Sequence, residues 1–326
     1  MFKKRAFLMM LVVFFVFFMV MDSLAMKHEK VDKKAIVVAQ FGTTYPSALK
    51  DLTNIKNCIQ KSFPNIKVKI AFTSNIIRRI WHNRRNDPKY ANKKEFEEFL
   101  YVKGPLATIA DLQDEGYKTI IVQPTHIYAG EEFYDLCSYV KALNSIETIK
   151  PKYKPFNKVV IGRPLLGMPG PKWDYHKDLE IAAKALRDDV RLAKKKKAVL
   201  VYMGHGNEYF STGAYIEFQK VMRKMYPKVF TVVGTVEGFP TLEDVVSTLV
   251  HIKAKRVVLK PFMIVAGDHA LNDMAGDEKD SWKNVIKSHG IEVYPVLKGL
   301  GENDRIAKIF VKHIKDVARA NHISLR

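Results

Sequence analysis

A chain of 326 residues, 47% hydrophobic and 27% charged, is long enough for two domains that each bury a core, and it carries no low-complexity tract that would suggest disorder. Its formal charge of +20 favours an anionic partner, whether nucleic acid, anionic lipid or a polycarboxylate. Two cysteines, Cys58 and Cys137, exclude a disulfide framework, and neither stands at a metal-ligand or redox spacing.

Lys3-Lys4-Arg5 precede an uninterrupted apolar run from Ala6 to Met21, and Ser23-Leu24-Ala25 supplies the small residues of a cleavage site. This pattern predicts a signal peptide over 1–25, a mature chain from Met26, and export to the periplasm or another extracytoplasmic compartment. The rival reading is an uncleaved anchor, because the apolar run approaches the lower length limit of a span. No cysteine follows Ala25, which argues against a lipid anchor, and no later segment is apolar enough to form a membrane span after cleavage.

Beyond the signal, strands alternate with helical patterns in the manner of parallel α/β sheets. Ala35–Gln40 reads as a buried strand ending in Phe41-Gly-Thr-Thr44, followed by a helix over Ser47–Phe63 and a strand over Val68–Phe72. A basic segment, Arg78 to Lys94, leads to a helix over Pro105–Glu115. Strand Thr119–Gln123 then delivers His126, Glu131 and Glu132, and helix Glu132–Leu143, strand Val159–Gly162 and Pro164-Leu-Leu-Gly167 close a first lobe, 34–170. The second lobe, 171–326, opens with a single helix over Asp174–Arg191. The run Lys194 to Lys197 follows, read as a solvated basic surface between that helix and strand Ala198–Tyr202. That strand ends in Met203-Gly-His-Gly-Asn207. Helix Thr212–Tyr226, strand Phe230–Val233 with Glu237 beyond its end, and helix Thr241–Ile252 come next. The strand from Arg256 to Leu259, a loop dense in Gly, Asp, His and Asn, helix Asp280–His289, strand Glu292–Pro295 and helix Asp304–Ala320 complete the chain.

The same strand-loop unit is used twice. Aligning Pro124 with Pro261 brings Ala129-Gly130 onto Ala266-Gly267, Glu131 onto Asp268, and Glu132 onto His269. Ala35–Thr44 likewise resembles Ala198–Asn207, and Pro164-Leu-Leu-Gly167 resembles Lys298-Gly-Leu-Gly301. Two related α/β lobes facing each other across a cleft account for all three matches. Three strand ends of the second lobe present His205, Glu237 and His269, a three-point site for a divalent transition metal with positions left open. His126 and Glu132 would face them from the first lobe. Each such residue taken singly is more often a hydrogen-bonded loop residue, and it is their convergence on one rim that carries the metal reading. Arg78 and Arg79 lie near the rim, and no nucleic-acid module motif accompanies them, so nucleic acid is not an expected partner.

Phe41-Gly-Thr-Thr44, His126-Ile-Tyr-Ala-Gly-Glu-Glu132, Met203-Gly-His-Gly206, Val265-Ala-Gly-Asp-His-Ala-Leu-Asn-Asp-Met-Ala275 and Gly299-Leu-Gly-Glu-Asn303 together resemble the anaerobic sirohydrochlorin cobaltochelatase family CbiK, class II chelatases that use no ATP. The resemblance implies a chelatase-like α/β fold of two Rossmann-like lobes with parallel sheets facing a central cleft. It implies insertion of Co²⁺ into sirohydrochlorin or a related tetrapyrrole, with Fe²⁺ or Ni²⁺ as other metals and no nucleotide. It assigns metal binding to His205, Glu237 and His269 and a cleft carboxylate to Glu132, so that catalysis is expected of His205, His269 and Glu132; the place of His126 across the cleft and the positive charge of Arg78 and Arg79 near the rim make these three the expected substrate contacts. The insert Asn83–Glu98 and the stretch Lys150–Lys172 exceed a minimal member and are places for substrate access or homo-oligomer contacts. Export conflicts with cytoplasmic corrinoid synthesis, which keeps open an exported haem, tetrapyrrole or metal binding protein, or a haem dechelatase, on the same fold.

Overall fold

The computed structural model describes residues 32–207 and 213–325, so the predicted signal and the start at Met26 lie outside the described residues. From Lys34 to Arg326 the chain forms one compact unit with two four-stranded parallel sheets. The first has the order β2-β1-β3-β4, with β1 Lys33–Gln40, β2 Lys67–Phe72, β3 Tyr117–Pro124 and β4 Lys158–Ile161. The second has the order β6-β5-β7-β8, with β5 Val199–Gly206, β6 Thr231–Glu237, β7 Arg256–Pro261 and β8 Glu292–Pro295. The two orders are the same order repeated. Both β3 and β7 end on the prolines that align in the sequence, because a proline cannot donate to a ladder and so closes a strand.

The strands are nearly continuous runs of Val, Ile and Leu, as expected where helices cover both faces. The first sheet carries α1 (Leu49–Ser62), α2 (Asn75–Asn83), α3 (Pro105–Asp114) and α4 (Glu131–Asn144). The second carries α5 (Tyr175–Ala185), α6 (Arg187–Lys196), α7 (Gly213–Met225), α8 (Leu242–His251) and α9 (Trp282–Ser288). The last helix, α10 (Asp304–Ala320), packs on α1 and on β3 of the first sheet. Its Ile306, Phe310 and Ile314, spaced four apart, are fully buried in a core that also includes Ile36 and Ile121 of the first sheet and Leu200 and Val258 of the second. Truncating Phe310 to Ala would cost about 3–5 kcal/mol. Buried Arg163 adds a polar tie, pairing with Asp178 at 2.6 Å and with Asp316 of α10 at 2.8 Å. Burial alone would raise Asp178, but hydrogen bonds from His313 and Arg163 outweigh it and hold the carboxyl at about 2.

Two sequence expectations are revised. The single helix over Asp174–Arg191 is two helices broken at Leu186. Its cause is tertiary: the Ala185 carbonyl accepts from the side chains of Asn303 and Arg305, so the Asp189 N–H turns to Leu186 instead. Lys194, Lys195 and Lys196 form the last turn of α6, where their charge meets the carbonyl end of the helix, rather than a linker after it. The insert Asn83–Glu98 folds into short helical turns against Trp81, whose ring meets Tyr90, Phe96 and, just beyond the insert, Phe99. Both cysteines are free and half-buried; burial pushes the Cys137 thiol up to about 11. Among the described residues no helix is long and apolar enough to cross a membrane.

Candidate functional site

A parallel sheet binds ligands beyond the carboxyl ends of its strands where the strand order reverses. In the first sheet that point lies between β1 and β3, and in the second between β5 and β7. A cleft of about 460 Å³ is lined from all four ends: Phe41 to Tyr45 after β1, Thr125 to Gly130 after β3, His205 and Gly206 at the end of β5, and Met263 to Ala270 after β7. Topology thus places the site before any side chain is considered.

On the second-sheet wall, His205 and His269 meet edge to face with ring centroids 4.8 Å apart. His205 Nδ1 lies 3.1 Å from the Gly206 carbonyl, and Glu237 Oε2 approaches the same nitrogen at 3.8 Å. The sheet register explains this neighbourhood, since Gly206 of β5 pairs with Glu237 of β6. Gly206 itself has φ +86°, and a Cβ there would fall 1.7 Å from the Glu237 carbonyl oxygen, so only glycine lets β5 end beside β6 in this way. After β7, the stretch expected as a loop is a helical turn that widens to π geometry over Ala270–Met274. That turn puts Asp273 on the same face as His269, Oδ2 to Nδ1 at 2.5 Å. Among the described residues no three His, Cys, Asp or Glu side chains come close enough together to hold a metal. Two imidazoles are therefore assembled, whereas Glu237 stands outside the cleft lining and would have to turn to complete a three-point site.

The facing wall is drier. His126 lines the cleft with both ring nitrogens shielded from water and without a hydrogen-bond partner, and burial pushes it down to about 4. Such an imidazole is neutral near pH 7 and has one donor and one acceptor to offer a ligand. Glu132, in the first turn of α4, also lines the cleft. Tyr128 packs edge to face on Tyr215 of α7 with centroids 5.3 Å apart, joining the walls at the back of the cleft. Burial first, and then the charges of Glu132 and Glu237, hold the Tyr128 phenol protonated well above its ordinary value. At the mouth the Tyr45 hydroxyl donates to Asp268 Oδ1 at 2.6 Å.

Arg78 and Arg79 are not brought to the cleft. The Arg78 guanidinium is engaged by the carbonyls of Phe72 and Thr73 and by Asn75, and Arg79 is exposed, while their neighbour Ile77 is the residue that lines the site. Sequence reasoning passed over Tyr45, Tyr128, Tyr215 and Asp51. Asp51, in the first turn of α1, is fully buried and accepts from the Ala266 N–H at 3.2 Å, which holds the approach to His269 from the first sheet. Tyr215 and Asp51 fall on helical patterns, where a tyrosine or an acid reads as core or surface, Tyr45 and Tyr128 fall in loops after strands, and only partners distant in sequence mark these four.

Residues 34–319 match the family model described as cobalt chelatase (CbiK). Over 284 residues, 86% of this chain and 95% of the relative, the chain is 31% identical to a sirohydrochlorin cobaltochelatase of Salmonella typhimurium. It is 29% identical over 295 residues to the sirohydrochlorin cobaltochelatase CbiKC of Nitratidesulfovibrio vulgaris, covering 90% of this chain and 94% of that one. Among solved structures it resembles SirB from Bacillus subtilis with Fe³⁺, at a TM-score of 0.56 and 13% identity, covering 89% of this chain and 98% of that one. The likeness to SirB supports the chelatase-like fold.

Proposed function

Because the chain belongs to the CbiK family of cobalt chelatases, we propose that it inserts a divalent metal, Co²⁺ or Fe²⁺, into sirohydrochlorin or a closely related tetrapyrrole held in the cleft, as a lyase that needs no nucleotide. The observation that carries this is the pair of imidazoles 4.8 Å apart at the switch point of the second sheet, opposite a dry wall bearing His126, Glu132 and Tyr128.

Insertion replaces two pyrrole N–H protons with one M²⁺, so two protons leave for each metal that enters. His205 and His269 are the groups that receive the metal from water and hand it to one face of the macrocycle. Glu237, at 3.8 Å from His205, is the carboxylate that joins them on rotation or takes a proton from His205. Glu132 is the acceptor on the other wall. Burial disfavours the protonated form of His126, so it serves as a hydrogen-bonding contact to the macrocycle and not as the base. With Arg78 engaged elsewhere, the acidic periphery of a sirohydrochlorin meets the protein's general positive field, with Arg79 as an outer contact.

The site of action is proposed to be extracytoplasmic, on the strength of the 1–25 pattern in the sequence; fractionation of cells producing the full chain, with amino-terminal sequencing of the product, tests this. The activity is tested by anaerobic absorption spectroscopy of the protein with sirohydrochlorin and Co²⁺, beside the variant carrying both His205→Ala and His269→Ala. Metallation by the wild type that is lost in the variant is the expected result. A tetrapyrrole-binding shift with no metallation by the wild type would overturn the enzyme reading in favour of a carrier.

A further inference from the structure

The two cleft histidines share a feature that their different settings conceal. His205 has Nδ1 against the Gly206 carbonyl, and His269 has Nδ1 against the Asp273 carboxylate. A carbonyl can only accept, and a carboxylate oxygen offers lone pairs, so in both contacts Nδ1 carries the hydrogen. Nε2 is then the unprotonated nitrogen of each ring. A metal needs that lone pair, and a ring free to present either nitrogen would offer the wrong one for part of the time.

Stability does not explain the His269–Asp273 contact. Its side chains are 36% and 44% exposed, and exposed pairs of this kind contribute little to folding. The two residues stand four apart on the helical turn after β7, a spacing that brings side chains onto one face of a helix, and that turn widens to π form over Ala270–Met274, a distortion frequent at functional sites. The backbone carbonyl that serves His205 is supplied by the fold, whereas the acceptor that serves His269 is a side chain on that turn.

We infer that Asp273 is a positioning residue, which fixes His269 in the Nδ1–H tautomer and so aims the Nε2 lone pair at the incoming metal, matching His205 across 4.8 Å. This rests on the chelatase reading of the cleft. The test uses the full chain labelled with ¹⁵N-histidine and long-range ¹⁵N–¹H correlation spectra recorded without metal, together with titration of Co²⁺ alone. In the wild type, His269 is expected as the Nδ1–H form. Asp273→Ala moves it toward Nε2–H, leaves His205 unchanged as an internal control, and weakens Co²⁺ binding about 10–100-fold. Asp273→Asn, whose amide oxygen still accepts, keeps the tautomer and most of the affinity, which a loss of fold would not allow. A wild-type His269 in the Nε2–H form overturns the inference without any variant. So does a Co²⁺ affinity for Asp273→Ala within about twofold of wild type. Failed metallation alongside the expected tautomer tells against the chelatase reading alone, because the tautomer is read without metal or tetrapyrrole.

Discussion

The strand-loop units after β3 and β7 begin alike, each with a strand closed by proline and then an Ala-Gly step, and end in opposite chemistry. After β3 the chain enters a regular 14-residue helix, its cleft imidazole is dry and unpartnered, and its acid, Glu132, sits in the first turn. After β7 it enters a distorted helical turn whose imidazole is partly wet, held by an acid four residues on, and set against a second imidazole. One backbone frame, used twice, yields a drier wall suited to the ring face of a macrocycle and a wetter wall suited to a hydrated cation. The difference comes from Glu132 against His269 at equivalent positions, and from how far water reaches each.

The largest expected effect comes from breaking the wet wall. Removing both imidazoles, His205→Ala with His269→Ala, should slow metallation on the order of 10³-fold while apo-tetrapyrrole binding, followed by absorption titration, changes little. Equal loss of both would mean that the histidines hold the macrocycle and not the metal.

Next is the tie between the walls. Burial, only partly offset by the Ala266 N–H, pushes Asp51 from 3.8 up to about 7. The folded state thus holds this proton more tightly than the unfolded one, so the site's contribution is complete below about pH 4 and is lost as pH rises through 7. Asp51→Asn should therefore raise stability at pH 8 by up to about 4 kcal/mol and change it little at pH 4, read from urea midpoints. A difference that does not vary with pH would remove Asp51 from the account.

The dry wall gives the opposite sign. His126 is depressed from 6.5 to about 4, so folding is favoured above pH 6.5 and loses support as pH falls toward 4, where the unfolded chain takes up the proton first. Relative to His126→Leu, the wild type should lose about 3 kcal/mol over that interval in the same urea measurements. A loss of equal size in both would place the acid sensitivity elsewhere.

The smallest effect belongs to the mouth. Tyr45→Phe removes one exposed hydrogen bond to Asp268, worth about 0.5–1.5 kcal/mol, and should raise KM for the tetrapyrrole less than tenfold with kcat unchanged. A fall in kcat instead would make Tyr45 part of the chemistry.

Much of this was legible in the sequence, for physical reasons. Parallel strands buried on both faces announce themselves as unbroken β-branched runs, and the prolines at 124 and 261 mark where each stops. Once strand ends are known, His205, His269, His126 and Glu132 fall on the cleft without further information. What failed depended on contacts, some distant and some close in sequence, that residue patterns do not display. The break at Leu186 is made by Asn303 and Arg305, and the loss of Arg78 to the backbone follows from how α2 seats against β2. The π turn that delivers Asp273 has no periodicity to read in five residues.

The return of α10 to the first sheet has a consequence for biosynthesis. A ribosome making this chain releases β1 to β4 long before the segment that completes their packing, because Ile306, Phe310 and Ile314 enter the shared core only when the last stretch of the chain has emerged. The earlier half is thus held with an open apolar face through most of translation, the kind of surface that chaperones capture. Although the internal repeat suggests two modules that could be cut apart at 170, the helix that ends the chain acts as a bolt through both, and a stop codon before Asp304 would leave the first half exposed as surely as the second.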